Sequence, residues 1–141
     1  MNKNCVFCRI VAGELPSVKV YEDDEIMAFM DIGPVTKGHT LVIPKQHSET
    51  ITMTPVRVLE KLIAVVRNVA QSHFDNLKAD GVNVTQANGE TAGQVVPHIH
   101  FHVIPRFRND GHSWNCPQKK YEDGEEMEKF ASLIRQGVLT R

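Results

Sequence analysis

The spacing of hydrophobic and polar positions changes several times along the chain, and each change marks an element. Cys5 to Ala12 reads as a short turn or helix ended by Gly13. Val18 and Val20 then alternate with Lys19 and Tyr21, a period of two that predicts a strand over Val18 to Glu22. The acidic run Glu22-Asp23-Asp24-Glu25 reads as a hairpin turn. It leads into Ile26 to Ile32, which is apolar almost throughout and predicts a strand covered on both faces. Gly33-Pro34-Val35-Thr36-Lys37-Gly38 is a loop by its Gly and Pro content, and His39 to Pro44 forms a third strand.

A helical period follows. Thr54-Pro55 offers an N-cap and a proline at the first helical position. Leu59, Leu62, Ile63, Val66, Val69, Ala70, Phe74 and Leu77 recur at helix spacing, with Arg57, Glu60, Lys61 and Arg67 on the other side. This predicts one long helix from about Pro55 to Asn76. A strand at Val82 to Ala87 and a loop at Asn88 to Gly93 lead to Pro97-His98-Ile99-His100-Phe101-His102-Val103-Ile104-Pro105. Phe107 to Lys120 reads as an irregular excursion. A closing helix from about Asp123 to Arg135 places Met127, Phe130, Ala131 and Ile134 on one face. Strands come mostly in pairs around one long helix, so the class is α+β with a largely antiparallel sheet.

In an extended strand, residues two apart share a face. His98, His100 and His102 therefore line one side of the histidine segment, and Ile99, Phe101 and Val103 line the other. The apolar side serves a core, whereas packing does not explain a row of imidazoles. Imidazole titrates near neutrality and can act as base, acid, nucleophile or metal ligand. One such ring can attack phosphorus to form a covalent intermediate, and a second on the same face can orient or protonate a leaving group. The preceding Asn88-Gly89-Glu90-Thr91-Ala92-Gly93-Gln94 supplies glycines, side-chain amides and a hydroxyl suited to an anion.

Metal binding is the rival chemistry. His-x-His can share an ion, and Cys5-x-x-Cys8 can chelate tetrahedral zinc, with His47 and one of the three histidines as natural partners. Asp31, at the end of a buried strand, needs a partner or ligand; a sugar diol would serve, as would capping of the Gly33-Pro34 turn. His39 reads equally well as a satisfied histidine near the sheet end, and His73 as structural. His112 and Cys116 fall in the irregular loop as spare ligands at most.

Composition narrows the field. A chain of 141 residues is most simply one domain, and its 41% hydrophobic and 23% charged residues are ordinary for a globular protein. A net charge of -1 gives no reason to expect nucleic-acid or membrane binding. Met1-Asn2-Lys3-Asn4 leads straight into Cys5, so no secretory leader is expected, and no stretch is long enough for a membrane span. Three cysteines, two of them in Cys5-Val6-Phe7-Cys8, fit a reducing, cytoplasmic setting better than a disulfide scaffold.

His98-Ile-His100-Phe-His102-Val-Ile resembles the signature of the histidine-triad (HIT) superfamily. The likeness extends to Cys5-Val-Phe-Cys8-Arg-Ile-Val-Ala-Gly-Glu-Leu-Pro16, Val20-Tyr-Glu-Asp23 and Ala28-Phe-Met-Asp31-Ile, all as in bacterial HIT proteins. It continues through Gly38-His-Thr-Leu-Val-Ile-Pro-Lys45 and Asn88-Gly-Glu-Thr-Ala-Gly-Gln94 in the same order. It covers a core of about residues 5–106 of a single 1–141 domain, leaving 107–141 as a less regular tail with the closing helix.

The resemblance implies a HIT-like fold with about five strands. It also implies a homodimer joined across the long-helix face and a purine nucleotide, AMP or GMP, beside the triad. His100 is then the nucleophile, and His102 contacts the phosphate and leaving group. Asp31 holds the ribose, Phe7, Ile10, Phe29 and Ile32 surround the base, and Asn88, Gly93 and Gln94 line the phosphate. Structural zinc, about one per chain, is implied at Cys5, Cys8, His47 and His98.

The implied activity is hydrolysis or nucleotidyl transfer at the α-phosphate of nucleoside phosphoramidates or related conjugates. The alternatives are a dinucleoside polyphosphate hydrolase and a zinc-stabilised nucleotide-binding scaffold. One departure stands out: many members carry Ser or Thr after Gly-Gln, and this chain has Val95.

Overall fold

The computed structural model describes residues 2–114 and 116–138. Of the expected domain, residues 1, 115 and 139–141 lie outside the described residues. The elements in chain order are α1 (Val6–Val11), β1 (Lys19–Glu22), β2 (Ile26–Met30), β3 (Thr40–Pro44), α2 (Val56–Leu77), β4 (Gly81–Gln86), β5 (Phe101–Arg106) and α3 (Gly124–Val138). The five strands form one sheet in the order β1-β2-β3-β5-β4, every neighbouring pair antiparallel. The α+β class and the antiparallel sheet are as the sequence predicts.

Every residue from Ile26 to Phe29 is buried, because β2 is covered on both faces. On one face the apolar stripe of α2 (Val58, Leu62, Val65, Val66 and Val69) packs on Ile26, Ala28, Val42, Ile99 and Val103. On the other face Met27, Phe29, Leu41 and Ile43 meet Cys5, Phe7 and Cys8 from the segment around α1. The period-two alternation of β2 and β3 sends successive side chains to these two cores.

The acidic stretch after β1 makes the expected hairpin turn. Asp23 Oδ1 accepts from the backbone N–H groups of Glu25 (2.8 Å) and Ile26 (2.7 Å). Glu25 also pairs with Arg57 and Lys61, fastening the turn to α2.

Several expected boundaries shift. Ile32 lies beyond β2 and is fully exposed, because the chain turns at Asp31, whose Oδ1 accepts from Gly33 N–H at 2.8 Å. Pro55, not Thr54, is the N-cap of α2, and Thr54 instead donates its hydroxyl to the Thr50 carbonyl. The regular histidine strand starts only at Phe101; His98 lies in a bend, its N–H bonded to the Val96 carbonyl at 2.8 Å, and His100 in the irregular stretch that leads into the strand. There Ile99 N–H bonds to the Ser48 carbonyl at 2.7 Å rather than to a ladder partner. The alternation holds all the same: Ile99 and Val103 enter the core, with Phe101 packed against it.

Gly38 precedes β3 with φ +108°, and a Cβ there would meet Leu77 Cδ1 at 2.7 Å and Pro105 Cγ at 2.9 Å. The stretch after β5 is pinned at its start, where Arg106 grips Asp110 through two nitrogens. The apolar face predicted for the closing helix is present on α3, but Met127, Phe130 and Ile134 are exposed.

Candidate functional site

Four donors from three parts of the chain converge at one end of the sheet. Cys5 and Cys8 flank the first turn of α1, His47 follows β3, and His98 precedes β5. His98 Nδ1 lies 3.4 Å from Cys5 Sγ, 3.7 Å from Cys8 Sγ and 3.3 Å from His47 Nδ1. Cys8 Sγ and His47 Nδ1 are 3.4 Å apart.

The protons can be placed. His98 Nε2–H donates to the Pro44 carbonyl at 2.8 Å, which leaves Nδ1 as a lone pair facing the thiols. Burial lowers the His98 pKa to about 4, so the ring stays neutral, and burial pushes the Cys5 thiol up. A tetrahedron with metal–ligand bonds of about 2.1–2.3 Å has edges of about 3.4–3.8 Å. The separations between these donors match it, and the donor set is that of structural zinc.

Beside this cluster opens a cavity of about 600 Å³. Of the expected nucleotide residues, Phe7, Ile10, Phe29, Asp31, Ile32, Gly93, His100 and His102 line it. Asn88 and Gln94 do not. Asn88 exchanges hydrogen bonds with Gln86 and accepts from Ile51 N–H, while Gln94 ties Gly89 N–H to the Glu49 carbonyl. Their amides hold the loop's shape instead of facing the cavity. Val6, Leu15 and Pro16 also form wall, and Val95, 89% exposed, stands beside the imidazoles.

The two catalytic candidates have opposite tautomers. His100 Nδ1–H donates to the His98 carbonyl at 2.7 Å, leaving the Nε2 lone pair available. Phe7 meets the His100 ring edge-on at a centroid distance of 5.1 Å. His102 is set the other way by His39. Val35 N–H donates to His39 Nδ1 at 3.1 Å, so the His39 proton sits on Nε2, which lies 2.9 Å from His102 Nδ1. His102 Nδ1 therefore accepts, and its own proton is on Nε2. Burial, followed by neighbouring His100 and His39, holds the His102 pKa at about 4, and burial lowers that of His100 too. Both rings are neutral at pH 7.

His39 is the residue whose role the sequence left open. Its Nε2 also lies 3.5 Å from Asp31 Oδ2. Asp31, His39 and His102 are close enough to suggest a second metal group, but the Val35 bond forces a proton onto the nitrogen an ion would need. His73 is buried against Thr40 and does not line this cavity. Among the described residues, His112 and Cys116 belong to neither donor group; His112 packs edge-on against Trp114.

A model of the HIT domain family matches residues 12–109. The chain belongs to the HIT family. A HIT-like protein of Borreliella burgdorferi is 44% identical over 135 residues, which span 94% of this chain and 95% of the relative. Adenylylsulfatase HINT3 of Arabidopsis thaliana is 38% identical over 110 residues, spanning 78% of this chain and 56% of that protein.

Among solved structures, a HIT family member from Bacillus subtilis shares the fold at a TM-score of 0.86 and 40% identity, covering 95% of this chain and 96% of that one. A zinc-bound histidine triad protein from Mycobacterium smegmatis matches at a TM-score of 0.75 and 37% identity, covering 95% and 97%. As a HIT protein the chain has the second and third histidines of its triad, His100 and His102, on the cavity wall, and the first, His98, among the Cys/His donors beside it. No helix among the described residues is long and apolar enough to cross a membrane.

Proposed function

We propose that this HIT protein binds a purine nucleotide and hydrolyses or transfers it at the α-phosphate of nucleoside phosphoramidates or related conjugates. The observation that carries this is the opposed tautomers of two neutral imidazoles in one cavity: a free Nε2 lone pair on His100 and an Nε2–H on His102. The first is a nucleophile, and the second donates a hydrogen bond to the charge that develops on the leaving group.

His100 Nε2 attacks phosphorus while the bond to the leaving group breaks; the departing atom keeps the electron pair, accepts a hydrogen bond from His102 Nε2–H and takes its proton from solvent. Water then attacks the nucleotidyl-histidine and gives up a proton to solvent, and the P–N bond to His100 breaks to release the nucleoside monophosphate and return the free Nε2 lone pair. Phe7, Ile10, Phe29 and Ile32 supply an apolar slot for the base, and Asp31 accepts from the ribose hydroxyls. Backbone at Gly93 approaches the phosphate.

Among the described residues lining the cavity there is no lysine or arginine. A polyphosphate leaving group would meet no cationic partner, which favours amine or sulfate leaving groups over dinucleoside polyphosphates. The Arabidopsis relative, named as an adenylylsulfatase, supports the same end of the range. Zinc bound by Cys5, Cys8, His47 and His98 would supply structural cross-linking rather than chemistry. The free thiols of Cys5 and Cys8 suit a reducing compartment such as the cytoplasm. Exposed Val56, Ile63, Phe74 and Leu77 on α2 support a homodimer.

The test is chemical trapping. Incubation with an adenosine phosphoramidate followed by an acid-free quench and intact-mass measurement should show an AMP adduct, absent in His100→Ala. A wild-type protein that binds AMP yet turns over no phosphoramidate, adenylyl sulfate or dinucleotide would make it a binding module.

A further inference from the structure

One wall of the cavity is carried by the segment running from Val6 through Ile10 to Leu15 and Pro16. How that segment is attached is unusual. Among the described residues, the backbone hydrogen bonds of residues 2–17 outside α1 are all internal, such as Cys5 N–H to the Asn2 carbonyl and Gly13 N–H to the Ile10 carbonyl. The ion pair of Arg9 with Glu14 is internal as well. Among the described residues, the polar contacts from this segment to the rest of the chain run through the two sulfurs alone, to His98 and His47. What remains is apolar: Phe7, set between Cys5 and Cys8, meets the rings of Phe29 at 5.5 Å and His100 at 5.1 Å.

A six-residue helix is too short to hold itself together in water. Its position on the sheet therefore depends on apolar packing, with Phe7 buried at its centre and Ile10 and Val11 at its edge, and on the two thiols. Among the described residues the thiols are the only polar ties, and they bracket the residue that meets the rings of both Phe29 and the nucleophile.

We propose that the Cys5–Cys8–His47–His98 group governs nucleotide affinity by fastening the cavity wall carried on α1, so that zinc and nucleotide bind cooperatively. The inference rests on the nucleotide reading of the cavity. An ion that joins the sulfurs to the two imidazoles holds Phe7 and Ile10 in place before the base arrives. Without it, the nucleotide must order the wall itself. Linkage makes the effect mutual: whatever factor zinc contributes to AMP affinity, AMP contributes to zinc affinity.

The experiment compares the full chain loaded with zinc against the same protein stripped by a chelator. AMP affinity is measured by calorimetry and backbone hydrogen exchange is followed in both forms. The stripped protein should bind AMP on the order of tenfold more weakly. It should lose protection in residues 5–17 while β2, β3 and β5 keep theirs. Equal AMP affinity in both forms overturns the coupling alone. Collapse of protection throughout the sheet also overturns it, since the ion would then hold the whole fold and not the wall.

A second measurement needs no stripped protein. In equilibrium competition with a chromogenic zinc chelator, saturating AMP should raise the protein's zinc affinity by the factor found calorimetrically, and no change contradicts the proposal. If zinc-loaded protein binds no AMP, the nucleotide reading itself falls and takes the coupling with it.

Discussion

His39 and His102 face each other through Nε2 and Nδ1 at 2.9 Å, although 63 residues separate them in the chain. The pair joins the first residue before β3 to the second residue of β5, two neighbouring strands. Because His39 Nδ1 is already an acceptor, the pair has one direction only: His39 donates and His102 is left with an Nε2 proton. His39 is thus a positioning residue for the His102 donor.

Replacing His39 with Phe keeps a ring of similar bulk and removes the donor. The expected result is a fall in kcat of up to about a hundredfold with KM little changed, because binding contacts remain and only the tautomer of the leaving-group donor is freed. His39→Gln, which can still donate, should recover part of the loss. Equal kcat in Phe and wild-type protein would show that His102 keeps its tautomer unaided.

Metal content gives an independent check of the donor cluster. Protein purified without chelators should carry about one zinc per chain, and Cys5→Ser should lose it. Site formation and folding are coupled, so the variant should also melt at a lower temperature. Finding no zinc in unchelated wild type would contradict the assignment.

Acid should destabilise the fold through His102. Its pKa falls from an ordinary 6.5 unfolded to about 4 folded, so between those values the unfolded chain binds more protons. The stabilising contribution is complete above pH 6.5 and is lost as pH drops toward 4. Urea denaturation across this window should show stability falling with pH, with a shallower slope in His102→Gln. Activity should also decline in acid, at a pH below the ordinary imidazole range because burial lowers the His100 pKa, since a protonated His100 has no lone pair for phosphorus.

The core under α2 has its own test. Leu62 is fully buried between the helix and the sheet. Leu62→Ala should cost about 2–5 kcal/mol by chemical denaturation, through lost burial and the cavity left behind. The exposed Glu60→Ala, on the opposite side of the same turn, should change stability by less than about 0.5 kcal/mol.

The sequence showed the sheet and the long helix because burial imposes a period, and a period survives as pattern. Ile99, Phe101 and Val103 announced a core face before any fold was known, and the imidazoles opposite them announced chemistry. Asn88 and Gln94 show what pattern leaves out. Their amides read as phosphate donors, and in the fold they are also tied to the loop and to the Glu49–Ile51 stretch, a demand that composition does not announce. Likewise nothing local in Val6 or Leu15-Pro16 points to a cavity. They become wall only because the segment folds back over β2. His39 could have been found from Val35, four residues earlier, had the loop's return on itself been anticipated.

Gly38 sets the tolerance of this arrangement. It stands directly before His39 at a place where even a methyl group would strike the end of α2 and the ring of Pro105. The helix, the last strand and the proton-donating pair thus meet at a point with no spare volume. A change there cannot be absorbed by a neighbouring side chain turning aside, because φ is +108° as well. Alanine at position 38 would move the backbone itself, and with it the ring that decides which nitrogen of His102 carries the proton. A residue with no side chain, touching no substrate, therefore limits how accurately the His102 donor can be aimed.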